Sequence, residues 1–86
     1  MPGVPERLAK QVCAFVRELR SADLFKAPGI AETLDWISSL LALNQMELVE
    51  GSVRDTLGAL LKYQDDVLKV GGSELYKTLQ KARGVA

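Results

Sequence analysis

Few side chains in this sequence could do chemistry, and they do not cluster. Cys13 is the single cysteine, and there is no histidine. A lone cysteine excludes an internal disulfide and a cysteine metal cluster. A catalytic thiol would also lack the imidazole that takes its proton. With Val12 and Phe15 beside it, Cys13 reads as a small buried or boundary residue. The absence of histidine also excludes imidazole acid–base catalysis and histidine metal ligation. Asp65 and Asp66 are adjacent, without the alternating oxygen ligands of a calcium loop, so helix capping and solvation account for them. Neither G-x-x-x-x-G-K-[ST] nor G-x-G-x-x-G occurs, so no phosphate-cradling loop is present. Phe15, Phe25, Trp36, Tyr63 and Tyr76 do not interleave with basic residues, as a single-strand nucleic-acid platform requires. The chain is expected to hold no catalytic residue, no metal and no cofactor of its own.

Charge and composition narrow the partners. Eleven basic residues balance eleven acidic ones, leaving no net field to gather nucleic acid or an anionic membrane. Lys77, Lys81 and Arg83 recur at near-helical spacing opposite Glu74 alone. A solvated helix face explains them; a nucleic-acid-binding patch is the rival, and zero net charge opposes it. The 86 residues suit one domain, and 48% apolar content suffices for a core. No apolar run approaches the roughly 18–20 residues of a membrane span. Met1-Pro2-Gly3-Val4-Pro5 has neither the basic start nor the apolar stretch of a signal peptide, so a cytoplasmic location is expected.

Those residues must be positioned by helices. Leu8, Val12, Phe15, Val16 and Leu19 form one helical stripe, predicting a helix over 5–20 with Pro5 in its first turn. Arg7, Lys10, Arg17 and Glu18 fall outside that stripe and face water. A connector over 21–29 follows, broken by Pro28-Gly29, with Leu24 and Phe25 expected to pack down on the core. A second helix over 30–43 carries Ile30, Leu34, Ile37 and Leu41 on one stripe and Trp36, Leu40 and Leu43 on another. Its wide apolar face predicts a central helix touching more than one neighbour. Ser52 reads as the N-cap of a third helix to about 62, buried through Val53, Leu57, Leu60 and Leu61. Gly58 within it either permits close helix approach or is incidental. A short helix over 65–70, capped by Asp65 or Asp66, ends at Gly71-Gly72. Ser73 caps a last helix to 83, with Leu75, Leu79 and Ala82 inward and Gly84 just past its end. The fold class predicted is all-α, a small bundle of four to five helices, with no convincing strand.

Two blocks add a resemblance. Leu24-Phe25-Lys26-Ala27-Pro28-Gly29-Ile30-Ala31-Glu32-Thr33-Leu34-Asp35-Trp36 is similar to the K-x-P-[GS]-[IV]-[AS]-E-[TS]-[LI]-D-W run that opens the second helix of the C-terminal helical lid in MoxR-family AAA+ ATPases, in the CoxD-like branch associated with carbon monoxide dehydrogenase maturation. The stretch from Val53 to Asp66 resembles the later V-x-x-T-L-G-x-L-L-K-Y-x-[ED]-[DE] block of the same lid, in the same order and at a matching separation. With the first helix, the resemblance covers about residues 5 to 70.

The resemblance implies that residues 1–86 form a lid domain closing over ATP and Mg2+ held by a core domain that lies outside these residues. Lid rotation would pass force to neighbouring subunits of a ring and serve chaperone-like remodelling or cofactor insertion. It implies that Pro28, Gly29, Ile30, Ala31 and Glu32 face the nucleotide, the helix start offering free N–H groups. It makes Lys26, Thr33 and Trp36 candidates for contact with the core domain, although core packing explains Trp36 equally directly. Many AAA+ proteins place a sensor-2 arginine near this helix start. Here Glu32 occupies that neighbourhood, and no arginine lies between Arg20 and Arg54. Glu32 either pairs with a basic group of the core domain or is an acid placed on a helix dipole. The alternative reading, from spacing alone, is a free-standing adaptor that takes a partner helix in an apolar groove.

Overall fold

The computed structural model describes residues 3–84; Met1, Pro2, Val85 and Ala86 lie outside the described residues. The described residues form five helices: α1 (Glu6–Arg20), α2 (Ile30–Ala42), α3 (Glu50–Leu60), α4 (Gln64–Val70) and α5 (Leu75–Gly84). The molecule is all-α, as the periodicity predicts. α1 packs most extensively on α5, and α2 on α3. These two pairs meet where α1 touches α2 and α3 touches α5, while α4 leans on α3.

The helix ends follow local chemistry. Pro5 precedes α1 rather than opening it, and its carbonyl accepts the Ala9 N–H at 3.0 Å. α2 stops because Asn44 adopts a left-handed backbone, with φ 58°, a conformation asparagine tolerates better than most residues. Asn44 N–H then donates to Leu41 O at 2.9 Å and Gln45 N–H to Leu40 O at 3.0 Å. This crossed pair satisfies carbonyls the helix end would otherwise orphan.

Two predicted caps are corrected. Ser52 does not cap α3; the helix begins two residues earlier, after an extended Val49, and the Ser52 hydroxyl donates to Val49 O at 3.2 Å. Leu48 is fully buried, with its N–H on the Gln11 side chain. That anchor fixes the chain just ahead of the helix, so the turn starts at once. Likewise α5 starts at Leu75, not Ser73, with Leu75 N–H on Gly72 O at 3.1 Å, and Gly84 belongs to the helix.

One core unites the helices, with Leu8, Val12, Phe15, Leu19, Trp36, Leu40, Leu48, Val53, Leu57, Leu60, Leu75 and Leu79 all buried. Trp36 is at its centre, 0% exposed, with its ring centroid 5.3 Å from that of Phe15. Its indole Nε1–H donates to Thr56 Oγ1 at 2.7 Å, and Thr56 in turn donates to Ser52 O at 2.7 Å. Thus α2 and α3 share a satisfied polar pair inside apolar packing. Gly58 is exposed, and a Cβ there would meet nothing within 4 Å, so no close helix approach explains it.

Cys13 is exposed, contrary to the buried or boundary reading. Position 13 is one helical step, roughly 100°, beyond Val12. That turns it off the buried stripe toward Arg17.

Thr56→Val tests the Trp36 bond. The indole N–H would stay buried without an acceptor, costing about 1–3 kcal/mol. A thermal melt should fall by about 4–8 °C for each kcal/mol lost in a domain of this size. An unchanged midpoint would show that the bond contributes nothing net.

Candidate functional site

The residues singled out by the resemblance lie where the 21–29 connector enters α2. This connector has no helix of its own to satisfy its backbone, and α4 supplies the partners. Asp66 is 2% exposed, and its carboxylate accepts Phe25 N–H at 2.9 Å and Lys26 N–H at 3.1 Å. One turn on, Lys69 Nζ donates to the Asp23 carbonyl. Asp65 or Asp66 was expected to cap α4; instead Tyr63 occupies the N-cap position, and the Asp66 carboxylate reaches across to the connector. Above this junction the rings of Phe25 and Tyr63 lie 5.9 Å apart at 47°.

The start of α2 is held by its own side chains. Gly29 N–H donates to Glu32 Oε1 at 2.8 Å, and Thr33 Oγ1 donates to Gly29 O at 2.7 Å. A Cβ at Gly29 would come within 2.9 Å of that same Glu32 oxygen, so the carboxylate would have to shift to accommodate one. The Lys62 ammonium sits 3.9 Å from Glu32 Oε2. The Gly29 hydrogen bond holds the Glu32 carboxyl below its ordinary range, with Lys62, its own N–H and Lys26 acting the same way against partial desolvation.

This geometry sorts the predicted site residues. Pro28 is buried and presents no face to a ligand. Gly29 has its N–H taken by Glu32. Ile30 is 76% exposed, Ala31 is exposed, and Glu32 is half-buried. Of the three contact candidates, Lys26 extends into solvent and Thr33 is half-buried, but Trp36 is sealed in the core and can meet no other domain. The helix start thus lies at an open edge, with the Glu32 carboxylate on the Gly29 N–H and the Lys62 ammonium beside it.

Beyond the helix start, Phe25 (73% exposed), Ile30, Leu34, Tyr63 and Leu68 are all uncovered. Leu24 packs on the core as expected, and Phe25 does not. Ile30 and Leu34 also border a cleft of about 270 Å³ between α1 and α2, with Cys13, Val16, Arg17 and Arg20 on its other side. Lys77, Lys81 and Arg83 do not gather into one patch: Lys77 lies 3.7 Å from Glu74, whereas Arg83 turns to Glu47 at 3.6 Å.

Comparison with known protein families, curated proteins and solved structures finds no match for this chain. No helix among the described residues is long and apolar enough to cross a membrane. No group of three or more His, Cys, Asp or Glu among them could hold a metal ion.

Sequence reasoning missed Asp66 as the holder of the connector, Thr56 as the indole acceptor and Gln11 as the anchor of Leu48. Thr56 and Gln11 did carry a signal, because each falls on a buried stripe, three or four residues from apolar neighbours. Asp66 carried none.

Glu32→Gln keeps an oxygen for Gly29 N–H but removes the charge. Because folding lowers the pKa of Glu32 from 4.5, the stabilisation is present above that value and lost as pH falls through the lower folded value. Melts of the two proteins should therefore differ most near neutrality and converge below pH 4.5. A gap that persists undiminished into acid would show that the charge is irrelevant.

Proposed function

We propose that this chain is the helical lid module of a MoxR-like AAA+ ATPase, docking on a nucleotide-binding core domain through the edge at the start of α2. The observation that supports this reading is Ile30: a large apolar side chain, 76% exposed, on a backbone fixed by Glu32 and Thr33. Leu34 is uncovered beside Ile30 at the α1–α2 cleft, and Phe25 and Tyr63 are uncovered as a ring pair on the connector side. Exposed apolar groups on a well-braced element are characteristic of interaction surfaces. ATP and Mg2+ belong to the core domain in this reading. This chain takes no step in hydrolysis, and its part is to cover, exclude water and move as a body. Glu32 serves to brace the turn rather than to touch phosphate. Ring neighbours and a chaperone-like or cofactor-inserting role follow from the resemblance alone.

The adaptor reading has one feature in its favour, the cleft between α1 and α2 with Ile30 and Leu34 on one side and Val16 on the other. A groove of this kind can accept an amphipathic helix.

Titration of the chain against a MoxR-class core domain lacking its own lid separates the two readings. Sedimentation should show a complex, and Ile30→Asp should weaken it at least about tenfold, the loss expected when a buried apolar anchor becomes a charge. No complex, or one indifferent to Ile30→Asp, would overturn the lid reading.

A further inference from the structure

From the opposite end of the bundle we infer a second site, a cleft that binds a small oxyanion through Arg7, Arg83 and the side-chain amide of Gln11. The cleft has a volume of about 420 Å³ and lies between the first turn of α1, the 43–49 connector and the end of α5. Gln11 is the deciding residue. It sits on the buried stripe of α1, only 3% exposed. Its Oε1 accepts Leu48 N–H at 2.6 Å, which turns Nε2 the other way. Nε2 makes no hydrogen bond to the described residues, yet no fully buried side-chain nitrogen or oxygen among them lacks a partner. Gln11 lines the cleft. A nearly buried amide nitrogen with no acceptor among the described residues is a donor awaiting one.

The rest of the cleft repeats that imbalance. Arg7 Nη1 is 3.2 Å from Glu47 Oε2, and Arg83 Nη2 is 3.6 Å from Glu47 Oε1. One carboxylate therefore spans two guanidiniums. Each guanidinium has about five N–H donors in a planar fork, so most remain free. Among the described residues lining the cleft the charge balance is two cations to one anion, and the guanidinium donors outnumber the Glu47 oxygens. The ligand this suits is rich in acceptors and negative, a phosphate or carboxylate group. The amino end of α1 favours an anion here and the carboxyl end of α5 opposes it, so the arginines decide the sign. Glu47 is the resident competitor.

The test is a nitrogen-15 NMR titration of the whole chain with inorganic phosphate, and separately with acetate, at constant ionic strength set by sodium chloride. Saturable shifts of the Gln11 side-chain amide are expected, with Leu48 N–H staying protected. Saturation by phosphate alone assigns a tetrahedral oxyanion, and saturation by both assigns any oxyanion. Arg83→Gln should weaken binding at least about tenfold, as should Gln11→Glu, which keeps an oxygen for Leu48 but replaces the free donor by a carboxylate. Glu47→Gln should tighten binding by removing the competitor, an effect that a purely structural clasp would not produce. Linear, unsaturated drift with both anions would overturn the inference, as would equal affinity in Gln11→Glu.

Discussion

A buried carboxylate holds the connector ahead of α2 in place. Taking the Asp66 side chain out of water is costly unless its oxygens find donors. The two donors come from consecutive amides of a connector that has no secondary structure to satisfy them, Phe25 and Lys26. Hydrogen bonds to a charged group contribute about 1.5–3 kcal/mol each, enough to order a loop that local propensity leaves free. Lys69 adds the opposite polarity by donating to the Asp23 carbonyl. α4 is only seven residues long. Such a short helix is marginal by itself, so its packing on α3 and its grip on the connector are mutually dependent.

Fixing the connector determines what α2 can do. Pro28 is driven into the interior and Gly29 is left at the rim, where Glu32 closes back on its N–H. The helix start is therefore accessible and electrostatically self-sufficient at once. An isolated helix amino end attracts anions; this one carries its own, with Lys62 beside it. What remains unmet is apolar: Ile30, Phe25 and Leu34 stand in water on a backbone with no freedom to hide them. Glu32 stabilises the turn from inside.

The helices were legible because their apolar stripes are strongly periodic, and the stripes of α1, α3 and α5 are buried as their spacing demands. The second helix was legible only in part. Its two stripes are real, but Ile30, Leu34 and Leu43 remain uncovered, because periodicity reveals an apolar face and not whether this chain supplies the surface to cover it. Ser52 and Ser73 looked like caps because serine favours that position; the anchored Leu48 and the Gly72 turn moved the starts instead. Asp66 was the least legible residue. Two adjacent acids at a helix start read locally as caps, and a partner some 40 positions away leaves no trace in spacing. The Pro28-Gly29 break located the connector and the start of α2, whereas the self-closure by Glu32 is a matter of atomic geometry alone.

Amide hydrogen exchange at Phe25 and Lys26 tests most directly whether Asp66 holds the site. Both amides lie outside any helix, and both should exchange as slowly as helical amides in the native protein. In Asp66→Ala they should become fast while the Leu57 and Leu79 amides keep their protection, because the core is otherwise intact. Fast exchange at Phe25 and Lys26 in the unsubstituted protein would contradict the account, as would equal protection with and without the carboxylate.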